Sequence, residues 1–141
     1  MCWDTIDTWA IENQSNAAVM MYNMSENDNF LRFINEKYST SNCYGWATTN
    51  RGVNIDRYNY LRVHVKSAYW GYNYGTSYDS QQCWIYLYDA NYGEYAAYKF
   101  RNLSEQTITF DISKFTGNLR IRFNIAPSSY IDIYSIALSK Y

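Results

Sequence analysis

The chain is poor in residues that break, staple or charge a fold: one proline, six glycines, three cysteines and one histidine among 141 residues. Its 12 basic and 13 acidic side chains leave a formal charge of -1. So balanced a charge creates no long-range field to draw in nucleic acid or an anionic membrane surface. Cys2, Cys43 and Cys83 cannot all pair within one chain, and none has the CxxC spacing of a zinc or redox site, so isolated thiols are expected. The longest apolar run, Ala17 to Met21, is far too short for a membrane-spanning helix. There is no Gly-rich phosphate loop, no HExxH and no GxSxG, which removes the motifs that would name a reaction. No catalytic residue is assigned. No repeat, low-complexity tract or Pro-rich linker divides the chain, and its length suits a single domain over residues 1–141.

Aromatic rings are abundant instead. They make up 20% of the residues, chiefly as 17 Tyr and 5 Trp rather than Phe. Tyr and Trp carry one polar end, so many of these rings are expected at a surface or a sheet edge, where Tyr with Ser, Asn and Gly makes recognition surfaces.

Period-two alternation runs through the second half and marks strands with one buried face. In Leu61-Arg62-Val63-His64-Val65-Lys66 the aliphatic residues share one face and the basic residues the other. Ile108, Phe110 and Ile112 alternate with Thr107, Thr109 and Asp111; Leu119, Ile121, Phe123 and Ile125 alternate with Asn118, Arg120, Arg122 and Asn124. Between Ile133 and Ile136 the apolar parity changes, and a β-bulge near Tyr134 and Ser135 would restore the inward face. Turn signals lie at Asn50-Arg51-Gly52, Asp89 to Gly93, Thr116-Gly117-Asn118 and Pro127-Ser128-Ser129. Ala17 to Asn23 and Cys43 to Thr49 can also be strands. Phe30 to Tyr38 suits a strand or a short helix, with the strand favoured. The pattern predicts an all-β fold, a two-sheet antiparallel sandwich.

Three segments resemble jelly-roll β-sandwiches of the galactose-binding-like type, found as carbohydrate-binding modules beside glycoside hydrolases and as domains of phage tail proteins. Val53 to Val63 looks like the loop leading into a core strand; Thr109 to Ser113 with Thr116 to Phe123 looks like the hairpin near the C-terminus; Tyr134 to Leu138 looks like the closing strand. The resemblance spans roughly Asn13 to Tyr141 and implies a jelly roll that binds a glycan or polysaccharide without altering it. It implies no cofactor beyond a structural calcium in many such folds, held between the first and last strands. The acidic residues near those places are Glu12 and Asp132, which do not reproduce the family's ligand pattern, so the metal stays open. Trp3, Asp4 and Asp7 argue against a secretory leader at this N-terminus. An extracellular or virion-associated role would then require prior removal of a leader, membership of a larger protein or assembly, or release with a virion.

Two aromatic constellations are candidate ligand sites. Tyr69, Trp70, Tyr72, Tyr74 and Tyr78 interleave with Gly and small polar residues in a connecting segment. They would either stack on sugar rings or fold back over the end of the sandwich. In Cys83-Trp84-Ile85-Tyr86-Leu87-Tyr88, Cys83, Ile85 and Leu87 can face the core, which puts Trp84, Tyr86 and Tyr88 on the opposite face. Outward residues of other strands, His64, Arg120, Arg122 and Asn124, would add donors, suiting a polyol, or an acidic sugar if the arginines converge. The alternative is ordinary cross-strand pairing of Tyr with Arg on a solvated sheet.

His64 reads as a surface imidazole with no evident Ser, Cys or Glu partner. Asp4 with Asp7, and Glu26 with Asp28, are carboxylate pairs in loops, whereas a glycosidase needs two carboxylates set across the scissile bond. The sequence therefore favours a non-catalytic carbohydrate-binding module, then a structural or receptor-binding domain of a phage tail or surface assembly, and last a polysaccharide hydrolase or lyase.

Overall fold

A computed structural model describes residues 9–13, 19–24, 30–36, 44–69, 83–101 and 103–141. Among these, every regular element is a strand: β1 (Trp9–Asn13), β2 (Val19–Met24), β3 (Phe30–Asn35), β4 (Gly45–Thr49), β5 (Val53–Asn54), β6 (Tyr60–Tyr69), β7 (Trp84–Tyr88), β8 (Glu94–Lys99), β9 (Gln106–Asp111), β10 (Asn118–Ile125) and β11 (Ser129–Ser139). They form two sheets. One has the order β1-β4-β10-β7-β8, with β5 alongside the start of β10, and the other β2-β3-β11-β6-β9. Every pairing is antiparallel.

The alternation dictates this layering. Along β10, Leu119, Ile121, Phe123 and Ile125 are buried while Arg120, Arg122 and Asn124 keep partial exposure. Along β6, Leu61, Val63 and Val65 are buried. An apolar face so produced has to be covered, and the two sheets cover each other. The Phe33 and Phe123 rings meet across the gap with centroids 6.1 Å apart, and Leu31, Ile85, Leu87, Ile131 and Ile133 fill the layer around them. Phe30 to Tyr38 suits a strand in sequence, with a short helix as the alternative. Phe30–Asn35 is strand β3, registered antiparallel to both β2 and β11, so cross-strand partners on two sides decide it.

The parity change in the last strand has the cause the sequence suggested. The β6–β11 register shifts between Ile133 and Ser135. Ile131 and Ile133 are buried before the bulge, and Ile136 and Leu138 pack on the core after it. At the turn before β10, Gly117 has φ 88°, a left-handed conformation in which its amide donates to Asp56 Oδ1 at 2.7 Å.

Candidate functional site

The outer face of the first sheet holds a set of half-buried polar and aromatic side chains. β10 runs between β4 and β7, and its register decides which side chains become neighbours. Arg120 lies opposite Tyr88, Arg122 opposite Tyr86 and Asn124 opposite Trp84. On the other side Arg122 faces Thr48 and Asn124 faces Trp46. The sequence had placed Trp84, Tyr86, Tyr88, Arg120, Arg122 and Asn124 on one outward face, and the register joins them.

The rings form a row. Trp84 and Tyr86 stack with centroids 5.5 Å apart and planes 12° apart, and Tyr86 and Tyr88 follow at 5.7 Å and 21°. Nearly parallel planes at such spacings are offset rather than fully overlapped, so each ring leaves part of its face uncovered. Tyr92 extends the row, its ring 6.1 Å from that of Tyr88. Burial pushes the phenols of Tyr86 and Tyr88 above the ordinary value; at Tyr88 the nearby Arg122 charge pulls the other way. Both remain neutral hydroxyl donors at physiological pH.

Tyr92 was read from sequence as part of a turn only. It sits in the β7–β8 turn with φ 62°, a left-handed conformation that costs a non-glycine residue about 1–2 kcal/mol. Asp89 holds the turn: its Oδ1 accepts from the amides of Asn91 and Gly93, both at 2.8 Å. The turn brings the Tyr92 ring beneath two guanidinium groups, Arg120 at 5.3 Å and Arg122 at 5.7 Å from its centroid. A strained backbone occupied by a large ring, where glycine would be easier, suggests that the ring has a use.

The two arginines are held differently. Arg120 Nη1 donates to the carbonyls of Thr49 and Asn50 at 3.0 and 2.8 Å. Arg122 Nε donates to Thr48 Oγ1 at 2.8 Å, and its guanidinium lies 5.1 Å from the Tyr88 ring and 5.9 Å from that of Trp46. Neither forms an ion pair with a carboxylate among the described residues. Two like charges on alternate residues of one strand repel each other. The surrounding ring faces offset part of this through cation–π attraction. Arg120 Nε and Asn124 Oδ1 are buried without hydrogen-bond partners.

Other sequence-proposed residues lie elsewhere. Tyr69 ends β6, its backbone registered with Ser129. Trp70, Tyr72, Tyr74 and Tyr78 fall outside the described residues. His64 does not join the aromatic face, contrary to expectation. It is on β6 in the other sheet, opposite Thr107 and Ser135, and therefore on the far side of the sandwich. It also has a carboxylate partner: Nε2 lies 3.3 Å from Glu105 Oε2, with the Tyr134 ring 4.8 Å away. Glu105 immediately precedes β9, and the β6–β9 pairing brings it there across 40 residues of chain that sequence adjacency could not bridge.

The calcium expectation meets an occupied carboxylate. Asp132 is 3% exposed, and its two oxygens accept from Arg32 Nε at 2.7 Å and Nη2 at 2.9 Å. Glu12 is on β1 in the other sheet, with its backbone opposite Trp46. Among the described residues no three His, Cys, Asp or Glu side chains converge. Asp132 is thus committed to Arg32 and presents no free carboxylate to a structural calcium.

Two signals in the sequence point to the members that were missed. Trp46 is set off by one residue from the small apolar Ala47 in a segment read as a possible strand, and Tyr92 lies within the Asp89 to Gly93 turn signal, next to Gly93. Separately, a cavity of about 260 Å³ lies between the sheets, on the opposite side of β10 from the arginines. Its lining is Val53, Leu61, Leu119, Ile121, Ile136 and Leu138, with only Thr49 and Tyr58 bearing hydroxyls. So apolar a space suits sugar hydroxyls poorly.

No protein-family model and no curated protein sequence matches the chain. Solved structures do match in fold. The family 11 carbohydrate-binding module of a cellulosomal cellulase of Clostridium thermocellum is similar over 99% of this chain and 91% of that one, with TM-score 0.61 and 14% identity. TmCBM61, solved in complex with β-1,4-galactotriose, is similar over 98% and 92%, with TM-score 0.56 and 9% identity. The enzymatically active domain of tailspike protein 4 of bacteriophage CBA120 is similar over 99% of this chain, with TM-score 0.59 and 12% identity. The chain spans 20% of that tailspike chain. The fold is the β-sandwich of carbohydrate-binding modules.

Proposed function

We propose that the chain is a non-catalytic carbohydrate-binding module over residues 1–141, taking a glycan or polysaccharide on the outer face of its first sheet. The observation that carries this reading is the row Trp84, Tyr86, Tyr88 and Tyr92, flanked by Arg120, Arg122, Trp46 and Asn124. Offset rings offer apolar faces to the C–H surface of a sugar. Guanidinium and phenol groups beside them donate to its hydroxyls, the usual division of labour in a ligand site. Trp70, Tyr72, Tyr74 and Tyr78, with Tyr69, form the second element of the proposal, as the segment that leads from β6 towards the strand carrying Trp84. The fold likeness supports the class: the family 11 module was also solved with a β-1,3-1,4-mixed-linked tetrasaccharide.

The module would act outside the cell or on a virion, as part of a larger protein or assembly and without a cofactor. Neither nucleic acid nor membrane insertion has a place in this reading; no helix among the described residues is long and apolar enough to cross a membrane. A receptor-binding domain of a phage tail is the second reading. The tailspike likeness favours it, and it is compatible with sugar binding on the same face.

The test is a screen of the purified protein against plant and microbial polysaccharides, followed by calorimetry on Trp84→Ala. The expected result is millimolar to micromolar affinity for a defined glycan, lost in the variant while the unfolding temperature stays within a few degrees. Trp84 is only half-buried on the outer face, so its removal opens no core cavity. Full affinity in the variant would move the site away from this face. A screen with no binder would give the lead to a protein interface.

A further inference from the structure

Resting on the reading of this face as a glycan site, we propose that Arg120 and Arg122 form a subsite for an oxyanion on the sugar, a uronate carboxylate or a sulfate ester. Both guanidinium groups lie within 6 Å of the Tyr92 ring centroid, 5.3 and 5.7 Å away. Neither forms an ion pair with a carboxylate among the described residues. Their hydrogen bonds fix them without neutralising them. Arg120 is tethered through Nη1 to two carbonyls and its Nε is buried, which leaves Nη2 as its remaining donor. Arg122 is tethered through Nε to Thr48 and also hydrogen-bonds the Tyr88 side chain, which leaves three of the five N–H donors of its guanidinium for a ligand. A planar fork of N–H donors is the geometry that carboxylates and sulfates take up in bidentate fashion.

Two facts make an anion the best-suited occupant. Two guanidinium groups on alternate residues of one strand repel each other, and an oxyanion placed between them would turn that repulsion into attraction on both sides. The ring faces beneath them displace water, which strengthens a charge pair relative to one on an open surface. A neutral sugar would use the same N–H groups as donors but would leave both charges uncompensated. The strained turn that presents Tyr92 belongs to this subsite, since its ring is what both cations share.

The experiment compares one polymer with and without its charge: polygalacturonate against its fully methyl-esterified form, and a sulfated galactan against the desulfated chain. Binding is measured by calorimetry in about 0.05 M and about 0.5 M salt. The expected result is at least tenfold tighter binding of the charged member of one pair, a preference that shrinks at high salt and is lost in Arg122→Met. The pair that shows the preference identifies the carboxylate or the sulfate. Equal affinity for charged and uncharged members would overturn the subsite while leaving the glycan-binding reading intact. Absence of binding to any glycan, neutral or charged, would remove both. Should Arg122→Met unfold, the pairwise comparison on the unaltered protein still decides, and Arg120→Met replaces it as the variant. A charge preference that survives in both arginine variants would place the anion elsewhere and overturn the assignment.

Discussion

The turn that presents Tyr92 depends on a single carboxylate, and Gly93 leaves that carboxylate room. Asp89 Oδ1 accepts two backbone amides at 2.8 Å, from Asn91 and Gly93, and the Asp89 amide donates to the Gly93 carbonyl at 2.8 Å. A methyl group at Gly93 would land on Asp89 Oδ2, with Cγ at 3.1 Å and Oδ1 at 3.3 Å, so the carboxylate would have to swing away. Asp89→Ala removes both side-chain hydrogen bonds. At about 0.5–1.5 kcal/mol net for each bond, with the site open to solvent, the loss should be about 1–2 kcal/mol. Gly93→Ala should cost about the same, because it releases the same two bonds by displacing their acceptor. The double variant should then cost no more than either single one, since in Asp89→Ala the new methyl group has nothing to strike. The coupling energy in the cycle is therefore about 1–2 kcal/mol. Urea denaturation of the four proteins measures it, and each single variant should melt about 3–6 °C lower. Additivity to within about 0.5 kcal/mol would show that the carboxylate and the glycine act independently, and the account of the turn would be wrong.

Two further perturbations test the packing and the titration behaviour. Arg32→Met leaves the nearly fully buried Asp132 carboxylate without its bidentate partner and removes a guanidinium lying 4.1 Å from the Tyr130 ring. Because the Arg32 side chain is 27% exposed, water reaches part of the vacated space, and a loss of about 3 kcal/mol in urea denaturation is expected. Arg32→Met with Asp132→Leu should recover most of that loss, and a single-variant loss below about 1 kcal/mol would show that the pair contributes little. At alkaline pH, burial pushes the phenols of Tyr44 and Tyr134 from the ordinary 10.0 up to about 12, with the Asp132 and Glu105 carboxylates adding to the effect at Tyr134. The unfolded chain gives up these protons first. Stability contributed by the neutral phenols is thus complete below about pH 10 and is lost as the pH rises through about 12. Urea midpoints should fall over that window, less steeply in Tyr134→Phe; an unchanged slope in that variant would assign the effect to other tyrosines.

What the amino-acid order determines here is local. A period of two tells each strand which residues point inward, so the burial of Leu119, Ile121, Phe123 and Ile125, and the outward position of Trp84, Tyr86 and Tyr88, could be read directly. The bulge was legible for the same reason, since the shift from Ile133 to Ile136 breaks a parity that the core requires. Which strands lie side by side is not local. Parity puts His64 and Arg122 alike on an outward face, yet β6 and β10 belong to different sheets, and the two residues end on opposite sides of the molecule. In the same way Trp46 becomes part of the aromatic face only because β10 pairs with β4 on one edge and β7 on the other. His64 meets Glu105 only because β9 pairs with β6. Alternation selects a face for every side chain, but hydrogen bonding between segments far apart in sequence selects the neighbours, and a ligand face is made of neighbours.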